Sequence, residues 1–165
     1  LLHREEPNTR LIIAGAGPLK AFYEESMEPE MKEHIHFIGP ILEEKPQYFV
    51  TADINVCPTT RAAALGVTLL ESMASMKPTV ASDIPAYHET VSSGKEVLFA
   101  HPDSPEDFAK QILRLIREPG LGAVLAKRAF HRMEKDYSWT HIIQRVDKYT
   151  NQALTKIQEK QTAVK

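Results

Sequence analysis

The sequence predicts an α/β fold: a doubly wound, Rossmann-like parallel sheet with helices on both faces. Three observations carry this. Short apolar runs rich in β-branched residues recur along the chain. Each ends at a turn, commonly marked by glycine or proline, and a stretch of helical character follows most of them. Strands alternating with helices at such intervals pair in parallel and are covered on both sides, with right-handed connections.

Residues 1–7 read as the tail of a helix running into the first strand, residues 11–14. The turn Gly15-Ala16-Gly17-Pro18 follows, then a polar helical stretch over 20–34 that Pro29 interrupts. A second strand spans 35–38 and stops at Gly39-Pro40. Residues 43–52 have helical character, with Pro46 suited to a first turn. The third strand, 53–58, leads through a loop over 59–66 into a helix over 67–76. A fourth strand at 79–82, a short helix near 87–92 and a fifth strand at 96–100 come next. From Ser104 onward the pattern is helical, punctuated at Pro119-Gly120 and at Ser138, with Phe108, Ile112, Leu115 and Ile116 at one-face spacing. Residues 1–165 thus form a single domain whose end, over 151–165, is a helix that frays. Because a doubly wound domain opens with a strand, a first strand and a further domain are expected upstream of Leu1.

The chain's 165 residues can bury about 70% of their unfolded surface, enough for a core. A formal charge of -2 and the absence of a basic stripe argue against nucleic-acid binding. No apolar run approaches the roughly 20 residues of a membrane span, and the first residues lack a signal-peptide pattern. Cys57 stands alone, which makes a reducing cytoplasm the simplest setting.

In an open parallel sheet, ligands bind beyond the carboxyl ends of the strands. The most informative segment there is Leu65-Gly66-Val67-Thr68-Leu69-Leu70-Glu71. It places a glycine at a helix entrance and a glutamate five residues on. Unpaired N–H groups and the helix dipole at such an entrance attract phosphate. Gly66 is expected to let the ligand approach the backbone. Glu71 lies about 7 Å along the axis, at about 1.5 Å per residue, a spacing that suits a ribose beside the diphosphate.

Residues 10–149 resemble the C-terminal, donor-binding half of retaining GT-B glycosyltransferases of the group 1, family 4 type. The matching segments occur in order: Leu11-Ile12-Ile13-Ala14-Gly15-Ala16-Gly17-Pro18, Phe37-Ile38-Gly39-Pro40 and Ala52-Asp53-Ile54-Asn55-Val56-Cys57-Pro58. Then come Gly66-Val67-Thr68-Leu69-Leu70-Glu71-Ser72-Met73-Ala74, Pro78-Thr79-Val80-Ala81-Ser82-Asp83-Ile84-Pro85 and Tyr137-Ser138-Trp139. The resemblance implies that Glu71 is the second glutamate of an E-x7-E motif and binds the donor ribose. It implies that backbone amides of Gly66, Val67 and Thr68 hold the diphosphate and sugar, and that Ile41 lies beside the base. Arg61 and Leu65 belong to the donor loop.

The implied activity is transfer of a hexose from a nucleoside diphosphate sugar to a glycan or lipid acceptor, with no cofactor and no required metal. An N-terminal domain would bind the acceptor, so this piece alone is expected to be inactive. The full-length protein would be cytoplasmic, with peripheral association at the inner membrane face as an option. Two departures stand out. Ala63 replaces the first glutamate of the motif, and Met76 stands where the family often has glycine. Ala63 keeps open a non-catalytic binding or assembly protein of the same fold. A stand-alone α/β nucleotide-binding module is a third option.

Other candidates have plainer explanations. Gly15-Ala16-Gly17 fails the dinucleotide fingerprint because Lys20 occupies its third glycine position. His34 and His36 have no further ligand to complete a zinc set. Asp83 suits a cap on the helix after Pro85 and Glu89 a solvated helix face, with ligand contact at the cleft edge as the alternative for both; Cys57 suits a small core residue and Trp139 a packing anchor.

Overall fold

The computed structural model describes residues 1–60 and 66–162, excluding the side chains of 160–162. Its strands are β1 (Leu11–Ala14), β2 (Ile35–Gly39), β3 (Asn55–Cys57), β4 (Thr79–Ser82) and β5 (Leu98–Ala100). Its helices are α1 (Leu2–Glu5), α2 (Lys20–Ser26), α3 (Lys45–Thr51), α4 (Val67–Ala74), α5 (Pro85–His88), α6 (Pro105–Arg117), α7 (Pro119–Tyr137) and α8 (Trp139–Thr162). Pro29 does interrupt the polar helical stretch: a short 3-10 turn, Pro29–Met31, follows α2.

All strand pairing is parallel, as expected, but the strands fall into two sheets. β1 pairs with β2, and β3, β4 and β5 pair in that order. Sequence periodicity marks strands without revealing partners, so this division was not legible. The two sheets differ in burial. Every residue of β4 and β5 is buried, whereas Leu11 and Ile12 of β1 are about half exposed.

The three-stranded sheet is covered on both faces. Cys57, Ala81 and Phe99 point to one side, where they meet Leu69 and Met73 of α4, Tyr87 of α5 and Ala129 of α7. Val80, Leu98 and Ala100 point to the other, against Leu115 of α6 and Leu125 of α7. This is the alternation of a strand with period two. Phe108 and Ile112 join the second cluster as their spacing predicts. Ile116 is only half-buried, while Leu113, not among the predicted set, is buried. α6 starts where expected, with the Ser104 hydroxyl accepting from the Asp107 N–H at 3.1 Å.

Polar groups fix α4 on the sheet. The hydroxyls of Ser72 and Thr79, both buried, hydrogen-bond at 2.6 Å. Asn55 of β3 donates to the Ser75 hydroxyl at 3.0 Å and to the Phe49 carbonyl at 3.3 Å. α4 ends with Met76 at φ 56°, the left-handed conformation that a helix C-terminus commonly takes up with glycine. The expectation that glycine suits this position thus has a backbone cause. Met76 is 52% exposed and gives little packing in return. Met76→Gly should raise stability by about 0.5–1 kcal/mol, the left-handed penalty less the added chain entropy. A thermal melt should move up by about 1–4 °C; a fall would show that the Met76 side chain packs better than its exposure implies.

At the far end, Ser138 adopts an extended conformation that separates α7 from α8. Trp139 is 78% exposed at the start of α8, along with Ile143 and Val146. It therefore does not anchor packing, contrary to expectation: the break at Ser138 directs the first turn of α8 away from the core. Among the described residues, no helix is long and apolar enough to cross a membrane.

Candidate functional site

The site begins at the entrance to α4. Gly66 has φ 57° and ψ 48°, and its carbonyl accepts from the N–H groups of Leu69 and Leu70 at 2.8 and 3.2 Å. No side chain caps this end. The N–H groups of Gly66, Val67 and Thr68 bond to no acceptor among the described residues, and Val67 and Thr68 are exposed. Gly66 itself is buried, so the exposed amides at this entrance are those of Val67 and Thr68, with the positive end of the helix dipole behind them.

Packing supplies a reason of its own for glycine at position 66. A Cβ there would come 2.6 Å from Cε1 and 3.0 Å from Cδ1 of Tyr87. The missing side chain makes room for a tyrosine ring. Tyr87 is fully buried, and its hydroxyl hydrogen-bonds that of Thr59 at 2.9 Å. Burial pushes the phenol's pKa up, partly offset by the Thr59 bond. Tyr87 therefore ties the loop after β3 to the entrance of α4. Neither Tyr87 nor Thr59 was singled out from sequence, because the contact joins positions far apart in the chain.

Glu71 lies on the next turn of α4. Lys45 Nζ, from the first turn of α3, approaches its Oε2 at 2.5 Å. The two form an ion pair, and among the described residues the solvent-shielded Oε2 has no aligned hydrogen-bond donor. The side chains are 34% and 36% exposed, at the edge between solvent and core. Beneath them lies Cys57, the last residue of β3. Burial, helped by the Glu71 charge and opposed by Lys45, pushes its thiol pKa up to about 12. Cys57 is thus the small core residue expected, and the ion pair lies near enough to the carboxyl end of β3 for both charges to act on it. That is the edge where an open parallel sheet binds ligands. Lys45 is a further residue that sequence reasoning missed.

The model for the family glycosyl transferases group 1 matches residues 1–118. The chain belongs to this family. Mannosylfructose-phosphate synthase of Agrobacterium fabrum is 27% identical over 158 residues, 88% of this chain and 34% of that protein. HepE of Anabaena, in a crystal structure with UDP, superposes with a TM-score of 0.79 at 20% identity, over 88% of this chain and 42% of its own. The C-terminal domain of a group 1 family protein from Francisella tularensis superposes with a TM-score of 0.72 at 23% identity, over 84% of this chain and 74% of its own. These structures share the fold. The chain spans about a third of the length of the curated relative, 34%.

Within this group 1 glycosyltransferase chain, the remaining candidates are dispersed. Ile41 is half-buried in the segment between β2 and α3, four residues before Lys45. Arg61, Leu65 and the departure at Ala63 lie outside the described residues. Asp83 does not cap α5: its carboxylate instead meets His88 Nε2 at 2.5 Å, and no side chain caps that helix. The extended backbone of Ile84 occupies the cap position, leaving Asp83 one residue too early. Glu89 is exposed, as a solvated residue should be. The ring of His34 meets that of His3 in a tilted contact, centroids 4.1 Å apart, while His36 is exposed. No set of three metal-ligating side chains occurs among the described residues.

Proposed function

We propose that this chain is the donor-binding domain of a glycosyltransferase that takes a hexose from a nucleoside diphosphate sugar. One observation carries this reading: a half-buried carboxylate, Glu71, stands one turn beyond a helix start whose first amides bond to no acceptor among the described residues. The amides of Gly66, Val67 and Thr68 hold the diphosphate, and Glu71 accepts hydrogen bonds from the ribose. Ile41 lies towards the base, and Arg61 and Leu65 belong to the donor loop. A diphosphate leaving group develops negative charge, and oriented amides stabilise it without reorganising. This needs no metal from the chain. The acceptor, a glycan or lipid, is bound by a domain outside these residues, and the chain alone is inactive.

The test is a calorimetric titration of the full-length protein with UDP, GDP and ADP, each beside its monophosphate. One diphosphate should bind at least about tenfold tighter than its monophosphate, the worth of one or two charge-assisted hydrogen bonds. If no diphosphate gains on its monophosphate, the amides at Gly66 do not hold the phosphates. Ala63, standing where the motif's first glutamate would be, favours a second reading in which the fold binds without transferring. Transfer from a nucleotide-sugar by the native sequence would dispose of that alternative.

A further inference from the structure

We propose that Lys45 is a positioning residue for Glu71: it pins one carboxylate oxygen so that the other is presented to the ribose. This rests on the reading of Glu71 as the ribose acceptor.

The local structure of α3 gives no reason for a lysine at position 45. It is the first residue of the helix, where the dipole disfavours a cation, and the helix lacks a side-chain cap. What compensates it comes from another element. Its Nζ meets Glu71 Oε2 and also stands 5.9 Å from the centroid of Phe49, one turn further along α3. Held between a carboxylate and the face of an aromatic ring, the ammonium has little room to wander.

The division of labour within Glu71 follows from its exposure. The side chain is 36% exposed, yet Oε2 is shielded from solvent. The accessible part of the group therefore lies away from the oxygen that Lys45 holds. A free glutamate has three side-chain torsions to order on binding. Fixing them beforehand removes that entropy from the binding step, which is how preorganisation raises affinity.

The test titrates the full-length protein, Lys45→Met, Lys45→Arg, Glu71→Ala and the Lys45→Met/Glu71→Ala double variant. The probes are UDP, GDP and ADP and their 2′,3′-dideoxy forms. Lys45→Met should weaken the tightest diphosphate about 3- to 10-fold, the cost of ordering one long side chain. It should leave the dideoxy form unaffected and add nothing in the Glu71→Ala background. Lys45→Arg should restore affinity to within about twofold, because a guanidinium also engages a carboxylate. Unchanged or tighter binding by Lys45→Met would overturn the proposal, the latter by showing that Lys45 competes with the ribose. An equal loss for the dideoxy form would also overturn it, because Lys45 would then act on the phosphates or on the fold. Should Lys45→Met fail to fold, Lys45→Gln carries the same expectations. If Glu71→Ala itself binds like the native protein, the ribose reading has failed; if only Lys45→Met does, this inference alone has.

Discussion

Replacing Gly66 with alanine is expected to destabilise the domain by about 2–5 kcal/mol, two separate costs adding up. The first is the backbone: at φ 57° an L-residue pays about 1–2 kcal/mol. The second is the approach of the new Cβ to Tyr87 Cε1, 2.6 Å, well inside contact distance. Overfilling a packed site costs about 1–3 kcal/mol, and Tyr87 is poorly placed to yield. Its ring lies in the cluster with Leu69, Val91 and Phe99, and its hydroxyl is bonded to Thr59. A thermal melt should fall by roughly 5–15 °C. Gly120→Ala is the internal control, since a Cβ there meets nothing within 4 Å and its φ is not positive. That variant should lie within about 0.5 kcal/mol of the native chain. A Gly66→Ala melt as high as the control's would mean that the helix entrance is looser than this geometry.

How far the sequence reaches depends on whether the cause of a feature is local. The strands were legible because apolar runs such as Thr79–Ser82 and Leu98–Ala100 are buried on both faces. Helix starts with local chemistry were legible too, as at Ser104. What escaped were partners distant in sequence. Nothing near Lys45 announces that it will meet Glu71, and nothing near Tyr87 announces that it will fill the space beside Gly66. Asp83 shows the converse error: its position before a proline suits a cap, but a histidine five residues on was a better partner. Trp139 fails for a related reason, since an aromatic residue at a helix start does not say which way that helix will point. Met76 lies between these cases. Its departure from glycine was visible in sequence, and the structure supplies the reason glycine would suit, a left-handed helix end.

Removing the Glu71 carboxylate is expected to have the largest effect on binding and little on folding. Glu71→Ala in the full-length protein should weaken the preferred nucleoside diphosphate by roughly 10- to 100-fold. Hydrogen bonds to a charged acceptor contribute about 1.5–3 kcal/mol, and each 1.4 kcal/mol is a factor of ten. The cost to stability is small for three reasons. The side chain is a third exposed, it belongs to neither core cluster, and its shielded Oε2 has no aligned donor to lose among the described residues. The partner left behind, Lys45, is itself a third exposed and can turn towards water. The melting temperature should therefore move by less than about 3 °C, corresponding to about 1 kcal/mol or less. Glu71→Gln separates charge from shape: an amide carbonyl still accepts from a ribose hydroxyl, but more weakly, so its affinity should fall between the two. A variant that melts as the native protein does and binds diphosphate weakly would locate the loss in the site. Undiminished affinity in Glu71→Ala would remove Glu71 from the site, and the helix entrance would then have to hold the nucleotide through its amides alone.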